Sequence, residues 1–246
     1  MLYQISLPFT SQKGLRYGWS SASLLHGVLM EHIPTEYAQT LHSQTVRPLS
    51  QSVQDGEKPA WVITTLNADA YQQVIPPLLA LRSAEITHRE DVLMFGTPAI
   101  RRTDYDELFT RHYIHETSSR LLQIDFLTPT AFKSAGEYIN MPTPRLILMG
   151  LARRYDALCD VHDTLYENLA EEIGARVSIS SYRLRSTSFP LEGVRIPAFL
   201  GSVTLRIRGN ETFLHYVNML GEFGTYSGVG IKTALGMGRI QCTPCQ

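Results

Sequence analysis

This chain of 246 residues has little that would tie it to an oxidising compartment or to a membrane. It holds three cysteines, Cys159, Cys242 and Cys245, too few and odd in number for a disulfide framework. No apolar run approaches the roughly 20 residues that a membrane span needs. The first fifteen residues alternate polar and apolar instead of building a secretion signal. The expectation is a soluble, cytoplasmic protein that does not engage a membrane. Charge of one sign is missing too: 22 Lys and Arg against 23 Asp and Glu leave a net −1, which argues against a uniformly basic nucleic-acid binder. Carboxylates at metal-binding spacing are also absent, since Asp104-x-Asp106-Glu107 and Asp160-x-x-Asp163 read as solvated helix faces. Cys242-Thr-Pro-Cys245 has half of a zinc pattern, but no second Cys or His pair accompanies it, and a structural zinc wants four ligands. No metal and no cofactor are expected.

What is present is unevenly distributed. Between Arg176 and Arg208 six arginines face one acid, Glu192, and from Thr225 onward two cations stand with no acid. The acids gather instead at Asp156, Asp160, Asp163, Glu167, Glu171 and Glu172. A polarised surface of this kind can hold a basic groove at neutral net charge. The richest segment is 227–239, where Gly228, Gly230, Gly236 and Gly238 surround Lys232 and lead into Arg239. Glycine lets the backbone approach a ligand closely and take positive φ, so N–H groups and two cations can converge on phosphate. The same glycines would also serve a plain turn between a helix and a last strand. A Walker loop is excluded because Ile231 separates Gly230 from Lys232. A dinucleotide fingerprint is excluded because Thr233 stands where a third glycine is needed and no βαβ unit follows.

Periodicity predicts a strand over 2–9, a serine-capped helix over 20–30 stopped by Pro34, and a strand over 61–66. A helix over 69–81 follows despite Pro76 and Pro77, then a strand region over 84–95. This is the split βαβ order of a ferredoxin-like domain. Residues 101–119 read as a connecting helix or linker. The order then restarts with a strand over 121–127, one helix or two over 144–169, a hairpin of 176–189 and 193–208, a helix over 211–223 and a strand over 237–242. The expected fold is α+β, with tandem ferredoxin-like (RRM-like) domains spanning 1–119 and 120–246. Neither half carries the aromatic signature of RRMs that read single strands.

Gly228-x-Gly230, five residues, then Gly236-x-Gly238, with a cation inside the spacer, resembles the C-terminal loop of the CRISPR-associated endoribonucleases of the Cas-six family. Those enzymes cut the repeats of precursor CRISPR RNA. The run from Leu121 to Lys133, ending Pro129-Thr130-Ala131-Phe132-Lys133, is similar to the strand that opens that family's second domain. Phe199-Leu200-Gly201 with the following strand 203–207 resembles a later segment, and Leu41-His42 with Arg47-Pro48-Leu49-Ser50 resembles the pattern after the family's first helix. The resemblance implies a tandem ferredoxin-like fold and CRISPR repeat RNA as partner. It also implies metal-independent cleavage by 2′-OH attack, leaving 2′,3′-cyclic phosphate and 5′-OH ends.

Cutting RNA without a metal needs a base for the 2′-OH, an acid for the departing 5′ oxygen and cations around the phosphorane. Histidine, with an ordinary pKa of about 6.5, suits proton transfer near neutrality. The resemblance implies His42 as general base. His26, flanked by Leu24, Leu25, Val28 and Leu29, is either its partner base or acid, or a core histidine. Tyr37 is a further candidate for the acid. Arg47 stands where a family member places a lysine; it can stabilise the dianion but will not release its proton. Lys133, Arg183, Arg185 and Arg47 are expected to contact RNA together with Gly228, Gly230, Lys232, Gly236, Gly238 and Arg239. His88, His112, His115, His162 and His215 are expected on the surface. A repeat-binding protein of this fold that cuts slowly or not at all is the alternative, and a small-molecule enzyme on the same scaffold is a third reading. Association with other CRISPR effector subunits and homodimer formation stay open.

Overall fold

The computed structural model describes residues 1–115, 118–160, 168–191 and 193–245. His162, Asp163, Glu167 and Glu192 lie outside these residues, as does the side chain of His115. The backbone forms two units, Met1–Arg102 with Thr233–Gly236, and Thr103–Lys232 with Met237–Gln246.

The first unit runs β1 (Leu2–Ser11), α1 (Ala22–His32), α2 (Thr35–Ser43), β2 (Leu49–Gln54), β3 (Ala60–Thr65), α3 (Ala68–Ala80), β4 (Ser83–Ile86), β5 (Asp91–Phe95) and β6 (Ala99–Thr103). Its sheet has the order β2-β3-β1-β5-β4, with β6 also on β1. β3 is antiparallel to both β1 and β2, and β5 is antiparallel to β1. This is the ferredoxin-like arrangement with its last strand doubled into a hairpin. Tyr3, Ile5, Leu7 and Phe9 alternate inward along β1 and share a core with Leu25, Leu29, Val74 and Leu78 of the helices.

Two elements here depart from the sequence expectation. Pro34 stops α1, yet its extended backbone (φ −56°, ψ 134°) caps a second helix directly afterwards, because proline's fixed φ suits a helix start. β2 was not expected at all: Leu49 through Val53 are all buried, so no apolar alternation marks it. Its buried Gln51 is satisfied, donating to the Ala22 carbonyl (2.9 Å) and accepting from the Trp61 indole N–H (2.9 Å).

The second unit runs α4 (Tyr105–Thr110), one π-helical turn (Arg111–His115), β7 (Leu121–Thr130), β8 (Phe132–Ser134), β9 (Glu137–Ile139), α5 (Pro144–Leu158), α6 (Leu169–Arg176), β10 (Val177–Leu191), β11 (Val194–Ile207), α7 (Glu211–Ser227) and β12 (Ile240–Cys245). Its sheet order β10-β11-β7-β12 repeats the second-third-first-fourth arrangement of the first unit. Residues 103–115, expected as a connector, pack here: the Tyr105 ring meets Tyr155 (5.2 Å) and Phe223 (6.1 Å). His112 is buried instead of exposed, its Nε2 2.8 Å from Glu222 while Arg111 holds the other carboxylate oxygen. An apolar helix flank tolerates it because the carboxylate pairs with the ring.

Candidate functional site

The first unit sets His42 and Arg47 side by side at the end of α2, with His26 nearby on α1. His42 lies exposed in the last helical turn. Arg47, a few residues on, folds back so that its Nε donates to the Leu41 carbonyl at 2.9 Å, one of the carbonyls that a helix C-terminus leaves unpaired. That bond tethers the guanidinium beside His42. His26, on α1, is half-buried and donates to the backbone carbonyl of Ala234, which lies on a 3₁₀ turn, Thr233–Leu235, belonging to the same unit. Its Nδ1 is buried without a hydrogen-bond partner. Burial, and after it the positive charges of Arg47 and His42, push the His26 pKa down to about 4, against the upward pull of the Ala234 bond. His26 is therefore neutral at pH 7 and cannot act as a charged acid there.

Tyr37 sits in the first turns of α2, 6% exposed, its hydroxyl buried without a partner. Burial and then the nearby Asp69 carboxylate raise its pKa well above the ordinary phenol value, so it keeps its proton at neutral pH. Among the described residues no group of three or more His, Cys, Asp or Glu lies together as a metal site would require.

The glycine-rich segment of the second unit has the expected backbone: φ is +69° at Gly228, +76° at Gly230 and +73° at Gly238, and Lys232 itself takes +57°. Gly236 (φ +108°) falls in the stretch that joins the first unit. The expected ring of phosphate-seeking N–H groups is mostly spent inside the protein. Gly228, Val229, Ile231, Met237 and Gly238 donate to the carbonyls of Gly224, Gly238, Ala131, Lys232 and Pro129, at 2.8 to 3.3 Å. The Arg239 N–H donates to Thr128 Oγ1 at 2.9 Å. The Thr128–Ala131 run thus clips the loop in place, and a Cβ on Gly230 would fall 2.2 Å from the Ala131 carbonyl oxygen. What the loop leaves exposed is Gly230 and the Lys232 side chain. Arg239 is half-buried, and burial lowers its guanidinium pKa.

The remaining expected cations of this unit are on its surface. Arg183 and Arg185 are exposed two residues apart on β10, hence on one face of an edge strand. Opposite them, Gly201 takes φ +123° with the Arg183 carbonyl oxygen only 2.0 Å from where a Cβ would stand. Lys133 is exposed on β8, its ammonium 5.6 Å from the centre of the Tyr138 ring. The fold thus gathers His26, His42, Arg47 and Tyr37 in the first unit and Lys133, Arg183, Arg185 and Lys232 in the second. Periodicity offered no signal for the Ala234 carbonyl as a partner of His26 or for Thr128 as a clip for the loop.

Residues 124–240 match the family described as CRISPR-associated endoribonuclease Cas6. A protein of that description from Mycobacterium tuberculosis is 38% identical over 224 residues, spanning 89% of this chain and 71% of its own length. Another, from Streptococcus thermophilus, is 34% identical over 217 residues, 88% of each chain. The structure of Thermus thermophilus Cas6 superposes with a TM-score of 0.78 at 23% identity, covering 99% of this chain and 98% of that one. A Cas6 product complex superposes with a TM-score of 0.80 at 25% identity, covering 99% and 100%.

Proposed function

Since the chain belongs to the family of the CRISPR-associated endoribonuclease Cas6, we propose that it cuts CRISPR repeat RNA without a metal ion, with the ribose 2′-OH as nucleophile. The 2′ oxygen of the ribose on the 5′ side of the scissile phosphate attacks phosphorus in line, the bond from phosphorus to the 5′ oxygen of the next nucleotide breaks, and the products are a 2′,3′-cyclic phosphate and a 5′-OH. His42, exposed at the end of α2, takes the 2′-OH proton. Arg47 faces the charge that builds on the phosphorane, a role its permanently protonated guanidinium suits. His26 assists from behind as a neutral ring, so that only one imidazole of the pair becomes cationic during the reaction. Tyr37 keeps its proton at neutral pH, and it is proposed for the departing 5′ oxygen on the condition that RNA binding uncovers its buried hydroxyl. Lys133, Arg183, Arg185 and Lys232 hold the RNA backbone.

The observation that carries this reading is the placement of His26, His42 and Arg47: Arg47 is held on the Leu41 carbonyl next to His42, and the charges of Arg47 and His42 reach the His26 ring. A repeat RNA with a 2′-deoxy sugar at the cleavage site should bind like the natural one and resist cutting, and natural RNA should be cut equally well in EDTA. Cleavage of the deoxy substrate, or activity that disappears in EDTA and returns with magnesium, would overturn the assignment.

A further inference from the structure

The small hairpin β8–β9 has an outward face with a chemistry of its own. Its turn is Ala135 (φ +48°) and Gly136 (φ +87°), the two successive positive φ values of a type I′ turn, which matches the twist of the strands and fixes their register. Phe132 pairs with Ile139, Lys133 with Tyr138 and Ser134 with Glu137. Phe132 is buried and stacks near Phe199 of β11, 6.1 Å between centroids and 23° between planes. Strand alternation then turns Lys133 and Tyr138 to solvent, where Tyr138 is 42% exposed. The residue before Phe132, Ala131, accepts the Ile231 N–H at 3.0 Å and closes against Gly230. Hairpin and glycine-rich loop are therefore hydrogen-bonded neighbours, offering Tyr138 and Lys133 from one part and Lys232 from the other.

We propose that Tyr138 is a stacking platform for an unpaired base of the bound RNA. Every base has a π face, so an exposed ring next to backbone-binding cations takes one regardless of sequence. The Lys133 ammonium over one face of the ring holds its orientation and leaves the opposite face to the base, while Lys232 meets a neighbouring phosphate. On the inner strands of the four-stranded sheet the paired positions Gln123, Thr204, Asp125 and Ser202 are polar and carry no ring; the sheet's exposed ring, Tyr182, lies on the edge strand β10. Stacking on the hairpin presupposes the RNA-binding role of this unit given under Proposed function.

The test uses the repeat RNA of the protein's own genome, blocked by a 2′-deoxy sugar at the cleavage site and carrying 2-aminopurine at each unpaired position in turn. With the unaltered protein, fluorescence at one position should be quenched on binding. Tyr138→Ala should restore that fluorescence and weaken binding roughly 5- to 150-fold, the range for one stacked base. The slope of affinity against salt should not change, because no phosphate contact is lost. Tyr138→Phe should keep both quenching and affinity. Equal binding and quenching by Tyr138→Ala, or a Tyr138→Phe defect as large as that of Tyr138→Ala, overturns the stacking proposal. Lys232→Glu separates it from the reading beneath: if Lys232→Glu weakens binding and flattens the salt slope while Tyr138→Ala does nothing, only stacking fails. If the unaltered protein does not bind the repeat, the RNA-binding role fails and stacking with it.

Discussion

His26 and His42 differ most in how much water they see, and that difference separates their roles. His42→Ala should slow cleavage on the order of 10²-fold or more, the scale of one general acid–base group, with repeat affinity kept; single-turnover rates beside binding isotherms check it. His26 has a stability signature of its own. Its folded pKa, about 4, lies below the ordinary value near 6.5, so between those limits the unfolded chain binds a proton that the folded chain refuses. The His26 contribution to stability is therefore fully present above pH 6.5 and is lost as pH falls toward 4. Both tryptophans, Trp19 and Trp61, lie in this unit, and their fluorescence in urea should show a steeper acid loss for the unaltered protein than for His26→Gln. Coincident curves would remove the pKa argument. His42 was singled out only through its resemblance to family motifs, because nothing in an exposed histidine at a helix end distinguishes it from any other.

Elements with strong periodicity were the ones that the sequence disclosed. β1 alternates, α7 keeps an apolar stripe, and the β10–β11 ribbon carries its turn in plain view. β2 escaped because its polar Ser50, Gln51 and Ser52 are buried along with their apolar neighbours, and α2 escaped because a proline that stops one helix also begins the next. The loop's internal hydrogen bonds escaped for another reason: Thr128–Ala131 and the glycines are far apart in sequence and meet only in the folded unit. The ribbon's tightest point gives an element-scale prediction. Gly201→Ala should destabilise by more than about 2 kcal/mol, the cost of a strained φ together with overpacking, because its Cβ would overlap the Arg183 carbonyl. Gly174→Ala in α6, with nothing within 4 Å, should be neutral or slightly stabilising. Urea unfolding of the two variants measures the difference, and equal midpoints would contradict it.

At the scale of the whole molecule, a net charge of −1 conceals four exposed cations on one unit, Lys133, Arg183, Arg185 and Lys232, which the proposed function sets against RNA phosphates. Four phosphate contacts would give a slope of about −3 to −4 in log affinity against log salt. A slope near zero in filter-binding titrations would show that these cations do not meet phosphate. The same second-third-first-fourth strand order appears twice, yet only the first unit borrows a piece of distant chain, Thr233–Gly236. A ribosome delivers that piece long after it has delivered His26 and His42. Until that piece is made, the nascent chain displays both imidazoles without the Ala234 carbonyl that one of them grips, and a chain broken off before Thr233 never acquires it. The surroundings of His26 are thereby tied to synthesis of that late segment, and a product that stops short of it cannot assemble them.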